Sequence, residues 1–263
     1  MKKYSLITAA VLAAALLAAV PVSARQRSRA DIRNALKSLY TPDYLVLKQG
    51  LKAQFAGVKP GKFGESVQGF KRPAGNEKKV IALTFDACGG RNSRYNARLI
   101  DYLRREKLPA TLFVTGLWID KHPEIFKELA NDPLFEIENH GLMHRTCSVN
   151  GQKAYKVWST RSVGDVVDEM ELNARKIAEV SGRRPLFFRS ATAFADEASV
   201  EIARRLGMEI VGYDILSGDA QRRSVKAMTR NILDGARHGS VVLMHFNRPE
   251  WKEVEVLEAA VPA

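Results

Sequence analysis

The chain has 263 residues, is 46% hydrophobic and carries a formal charge of +12 at pH 7. That length suits one large α/β domain with an N-terminal extension, and it is enough to bury a real core. The positive charge would ordinarily raise nucleic acid as a partner, but the first residues argue against it. Lys2 and Lys3 precede an apolar run over residues 6–20, and Val22, Ser23 and Ala24 supply small residues at its end. This pattern predicts an export signal over residues 1–24, cleaved after Ala24. The run is short for a bilayer span, which needs about 20 apolar residues. The chain is therefore expected to be exported, periplasmic or secreted, with no stable membrane span after cleavage. Its charge is expected to favour association with an anionic envelope surface, not nucleic acid. In such a compartment the two cysteines, Cys88 and Cys147, are expected to form a disulfide.

Residues 25–77 read as a basic extension and linker. A helix is predicted over 30–39, opened by Asp31. Pro60, Gly61, Gly64, Gly69, Pro73 and Gly75 then punctuate the remainder of the linker. From Lys79 the texture changes. Short apolar runs over 80–85, 110–114, 135–137, 186–188, 209–213 and 240–244 predict strands. Helices are predicted between them over 95–106, 123–131, 163–181, 198–206 and 225–236. This alternation predicts parallel βα units over 78–263. The 163–181 segment places Val163, Val166, Val167, Met170, Ala174, Ile177 and Ala178 at helical spacing, as a helix packed on a sheet requires.

Five predicted strands finish in or near a chemically capable residue: Asp86, His140, Arg189, Asp214 and His245. In a (β/α) barrel the C-terminal strand ends converge on one rim, where active sites lie. Ordinary loop polarity is the competing explanation, but loops favour Ser, Asn and Gly over this set.

His140-Gly-Leu-Met-His144 is the sharpest local signal. Residues four apart on a helical turn share a face, so both imidazoles could reach one ion. Alone, the spacing is equally consistent with two surface histidines near a turn. Thr84-Phe85-Asp86 offers a carboxylate as the third ligand, and Gly89-Gly90 after it permits a tight turn and a close ligand. The absence of a G-x-S-x-G elbow disfavours a serine hydrolase, and no Gly-rich phosphate loop supports phosphoryl transfer.

These pieces together resemble the polysaccharide deacetylases of carbohydrate esterase family 4, the NodB-homology domain. The resemblance covers about residues 78–250. Thr84-Phe85-Asp86 resembles the start of that family's T-F-D-D motif, and Asn139-His140-Gly-Leu-Met-His144 its N-H-[S/T]-x-x-H motif. Phe188-Arg189 resembles the arginine motif, the stretch from Tyr213-Asp214 to Asp219 the D-x-D-x-x-D-W segment, and Leu243-Met244-His245 the closing L-x-H motif. The resemblance implies a distorted (β/α) barrel and one divalent ion, zinc by default. It implies removal of N-acetyl groups from a polysaccharide such as peptidoglycan or a chitin-like chain. On the same basis Asp86, His140 and His144 are candidate metal residues, and Asp86, Arg189, Asp214 and His245 candidate catalytic ones. Asp86 would be the base, Arg189 its orienting partner, His245 the general acid and Asp214 the group that holds His245.

The match departs from the pattern in places. Ala87 stands where the family has its ligand Asp, so Asp86 either ligates the ion itself or leaves the site weak. Ser190 to Ala193 replace the family's Pro-Tyr, leaving the backbone of Thr192 or Ala193 as oxyanion donor. Leu216 and Ala220 replace the second Asp and the Trp of the fourth motif. The chain stops at Ala263, so the barrel is expected to be incomplete at its C-terminal end; a helix is expected to start over 254–261. His122, His238 and Asn247 match no motif and read as surface or loop residues. Two alternatives remain: an O-acetyl polysaccharide esterase, and a non-catalytic glycan-binding module.

Overall fold

The structure is a computed structural model that describes residues 37–70 and 80–261. The predicted export signal and most of the helix expected over 30–39 lie outside the described residues. Elements are numbered in chain order. The strands are β1 (Phe63–Gly64), β2 (Ala82–Ala87), β3 (Ala110–Val114), β4 (Phe135–Asn139), β5 (Phe187–Phe188), β6 (Ala195–Asp196), β7 (Glu209–Ile210), β8 (Ile215–Leu216) and β9 (Val241–His245). The helices are α1 (Pro42–Gln54), α2 (Ala97–Arg105), α3 (Gly116–Lys121), α4 (Pro123–Ala130), α5 (Val163–Ser181), α6 (Glu197–Arg205), α7 (Val225–Gly235) and α8 (Glu253–Ala260).

Seven strands form one sheet in the order β7-β5-β4-β3-β2-β9-β8, and each neighbouring pair is parallel. Helices cover it, and the result is an incompletely closed (β/α) barrel. Between β7 and β8 the chain crosses from one sheet edge to the other. Val211 N–H donates to Phe188 O on one side, and Asp214 N–H to Val241 O on the other. The apolar strand residues explain the register. Phe85, Ala87, Leu112, Val114, Val242 and Met244 are buried in one hydrophobic core, with Trp118, Phe126 and Phe246 packed among them. Strands buried on both faces read as continuous apolar runs, as these do.

α5 occupies the residues that the periodicity predicts. Ser162 caps its N-terminus, accepting from Asp165 N–H at 3.2 Å, and Gly182 ends it in the left-handed region. The segment expected to be linker is in part structured. Its helix α1 buries Tyr44 and Leu51 and packs on α5, where Tyr44 Oη and Lys48 Nζ both donate to Asp168; the Lys48 contact is 2.6 Å. β1 pairs antiparallel with β6. One compact unit runs from Pro42 to Ala263. No helix among the described residues is long and apolar enough to cross a membrane.

One buried carboxyl in β4 makes the fold pH-sensitive. Burial pushes Glu138 up from 4.5 to about 8, although its Oε2 accepts from Phe187 N–H at 2.7 Å. The folded chain thus keeps this proton over a range where the unfolded chain has lost it. The associated stability is full below the unfolded pKa and is lost as pH rises through about 8. Glu138→Gln keeps an acceptor for Phe187 without an ionisable group. Its melting temperature is expected to gain on that of the unaltered chain progressively as pH rises through this window. A difference that does not vary with pH would contradict the assignment.

Candidate active site

Side-chain alternation on β2 sets the site's floor. Phe85 and Ala87 point into the apolar core, while Thr84 and Asp86 point to the other side. There they meet Arg189, which follows β5 and is fully buried. Arg189 Nη1 donates to Asp86 Oδ1 at 2.8 Å and to Thr84 Oγ1 at 2.9 Å. Its Nη2 donates to Gly212 O at 3.0 Å, on the chain that crosses between the sheet edges. The guanidinium carbon stands 4.1 Å from the centre of the Phe113 ring. Buried charges need partners of this kind.

His140 follows β4 and is almost fully buried. Its Nδ1 lies 2.8 Å from the backbone carbonyl of Arg189. A carbonyl can only accept, so Nδ1 carries a proton, and in the neutral ring it is Nε2 whose lone pair faces the site. Nε2 is 3.6 Å from Asp86 Oδ2 and 3.9 Å from Cys88 Sγ. Burial alone would lower the His140 pKa, but Asp86 and Cys88 beside it raise it above the ordinary value.

The second histidine does not arrive on a helical turn. Residues 140–145 are irregular, with Gly141 at φ +86 and His144 at φ 55. Glu169 of α5 shapes this loop. Its carbonyl accepts from Leu142 N–H at 2.9 Å. Its Oε1 accepts from the N–H groups of Met143 and Arg145, both at 3.0 Å. Its Oε2 pairs with Arg145 Nε at 2.7 Å. Any side chain at Gly141 would collide with this carboxylate, since a Cβ there would sit 2.4 Å from Oε1. The loop brings the His140 and His144 rings to 5.0 Å between centres. His144 holds a left-handed backbone without being glycine, a cost that persists where surrounding bonds over-determine the loop.

His245 ends β9, directly beside Asp86 in register. The carboxylate that holds its ring is Asp219, and this corrects the expectation for Asp214. Asp219 Oδ2 lies 3.1 Å from His245 Nδ1 and accepts the His245 backbone N–H at 2.7 Å. Asp214 lies toward the other end of β9, where its Oδ2 accepts from Val241 N–H at 2.9 Å. Both residues lie in the same motif segment, and the parallel pairing of β8 with β9 decides which one reaches the rim: Asp214 precedes β8, while Asp219 follows it. Burial alone would lower the His245 pKa; Asp219, with a contribution from Cys88, holds it well above the ordinary value. Trp251 packs edge-on against the ring at 5.4 Å.

Of the two backbone donors considered for an oxyanion, Ala193 N–H is committed to Ser190 O at 2.8 Å inside the turn. Thr192 and Ala193 are both left-handed, at φ 60 and φ 59, which marks this loop as strained.

Sequence reasoning missed Cys88 as a site residue. The expected disulfide with Cys147 is absent, and both thiols are free. Cys147 is buried where its N–H donates to Ser190 Oγ at 3.0 Å, and burial pushes its thiol well up. Cys88 instead turns to the histidines. Among the described residues, Cys88, His140 and His144 form the group whose donor atoms lie within 4.8 Å of one another; Asp86 is not in that group. Burial would raise the Cys88 pKa, but His144, His140 and His245 around it hold it well below the ordinary thiol value. Tetrahedral zinc places its sulfur and nitrogen ligands about 3.6 Å apart, and a catalytic zinc takes three protein donors. The Cys88–His140 separation of 3.9 Å fits that requirement. Gly89 is needed next to this thiol, because a Cβ there would lie 2.0 Å from Leu117 Cβ.

Comparison with known proteins agrees with this architecture. The family model described as polysaccharide deacetylase matches residues 74–211, more than half of the chain. A peptidoglycan-N-acetylglucosamine deacetylase of Bacillus cereus is 25% identical over 172 residues, covering 65% of this chain and 74% of that protein. The structure of Bacillus subtilis PdaA, a family 4 carbohydrate esterase, aligns with TM-score 0.59 and 21% identity over 74% of this chain and 78% of the other. A carbohydrate esterase family 4 pseudoenzyme from Bacillus anthracis aligns with TM-score 0.56 and 18% identity; 71% of this chain is covered but only 62% of that one. From the matched span and the sheet that carries it, the chain belongs to the polysaccharide deacetylase family.

Proposed function

We propose that the chain is an exported, metal-dependent hydrolase that removes N-acetyl groups from a cell-envelope or extracellular polysaccharide, peptidoglycan or a chitin-like chain. The observation that carries this reading is the meeting of Asp86, Cys88, His140, His144 and His245 at neighbouring strand ends, with Arg189 beneath them. A base, an acid and an ion-binding group on one rim are what amide hydrolysis requires. The named activity of the Bacillus cereus relative and the positive charge, suited to an anionic envelope, point the same way.

In this mechanism Asp86 is the base. Arg189 occupies its Oδ1, which leaves Oδ2 to take a proton from the attacking water. His140 and His144 would hold a divalent ion, zinc by default. When bound, the ion supplies Lewis-acid polarisation and lowers the pKa of water. His245 gives a proton to the leaving nitrogen, and Asp219 fixes its ring and favours the protonated form. An amine is a poor leaving group until protonated, so this donor governs turnover.

A non-catalytic glycan-binding role is the second reading. Ala87 and the likeness in fold to a pseudoenzyme favour it. The test is to incubate the whole zinc-loaded chain with N-acetylated peptidoglycan, with chitin oligomers and with an O-acetylated polysaccharide. Acetate together with new free amines from either of the first two is expected. Acetate from the third substrate alone would replace the reading with an O-acetyl esterase, and binding without acetate would replace it with the module.

A further inference from the structure

We infer that the Cys88 thiolate is a metal ligand in this chain, completing a Cys88–His140–His144 set and standing in for the carboxylate that position 87 lacks. The inference rests on the metal-dependent reading above and deepens it.

Strand alternation separates the two positions. Ala87 is fully buried within the apolar core, beside Phe85 on the same side of β2. Position 88, two residues past Asp86, returns to the site side. The Cys88 sulfur is 3.9 Å from His140 Nε2, the nitrogen left with a lone pair by the bond from Nδ1 to Arg189 O. Fixing a ligating histidine through its other nitrogen is what metal sites require. The third donor, His144, is delivered by a loop that Glu169 holds with four bonds, one of them through its backbone carbonyl. Asp86 meanwhile has one oxygen committed to a buried arginine, an arrangement that suits a base better than a ligand. The labour is thus divided: Cys88 takes the ligand role and Asp86 keeps the base role. A set of one thiolate and two imidazoles is soft, and it favours zinc or cobalt over magnesium or manganese.

The test uses the whole chain loaded with cobalt(II) or zinc, and reads the metal site directly. The cobalt form is expected to show a thiolate-to-cobalt charge-transfer band in the near ultraviolet, with one ion bound per chain. Cys88→Ser should abolish the band and weaken zinc binding by about 100-fold or more, since losing a ligand costs more than losing its supporting partners, which costs about 10–100-fold. Cys88→Asp should restore binding without the band, which shows that the site still folds. Bound zinc should also protect Cys88 from alkylation by iodoacetamide. Stoichiometric cobalt with no thiolate band, or full zinc affinity in Cys88→Ser, would overturn the inference while leaving the metal-dependent reading intact. No bound ion in the unaltered chain would remove both.

Discussion

Replacing His245 with Ala is expected to lower kcat by about 10²–10⁴, the usual worth of a positioned acid, with little change in KM or bound metal. The ring leaves β9 beside Asp86, and its Nδ1 is 3.1 Å from the buried Asp219 carboxylate. The acid must be protonated to act. Asp219 holds the ring's pKa well above the ordinary histidine value despite burial, so the alkaline limb of the pH–rate profile should lie above that value. Asp219→Asn removes the countercharge and should move this limb to lower pH. Near-normal turnover in His245→Ala, or loss of metal from it, would contradict the role. An alkaline limb unmoved by Asp219→Asn would assign that limb to another group.

The second large effect concerns stability. Arg189→Met removes the guanidinium that pairs with Asp86 at 2.8 Å, and it takes from Thr84 Oγ1 and Gly212 O the donor that Arg189 supplies. Breaking a buried pair from one side typically costs about 3–5 kcal/mol, mostly because the other charge stays buried. Urea unfolding should show a loss of that order. Adding Asp86→Asn to Arg189→Met should recover much of it, since the stranded charge is then gone. Both variants should be inactive. Additive losses would show that the pair is not what makes the single change costly.

How far the sequence discloses the fold and the site varies with the range of the interactions involved. α5 is legible because its apolar spacing, its Ser162 cap and its Gly182 terminus are all local. The strand ends are legible because apolar runs stop at Asp86, Arg189 and His245. α1 is not. Leu45 and Val46 are exposed, which blurs its apolar face, and its anchors reach Asp168 on a helix far along the chain. The His140–His144 spacing suggests a helical turn, but Glu169 bends those residues into a left-handed loop from outside. The sequence reading gives Asp214 as the holder of His245; the pairing of β8 with β9 leaves Asp214 beside Val241 and brings Asp219 to the ring instead. Cys88 reads as half of a disulfide because compartment and pairing outweigh spacing in a sequence. Only the folded strand aims its sulfur at His140.

The central claim is metal-dependent deacetylation at this rim, and acetate release from N-acetylated peptidoglycan before and after metal removal tests it most directly. The whole chain is assayed as purified, after exhaustive chelation, and after one equivalent of zinc is returned, with His140→Ala alongside. The account predicts acetate release that chelation stops and zinc restores, and no restoration in His140→Ala. Acetate release that survives complete metal removal would contradict it, as would a zinc-loaded chain that releases none.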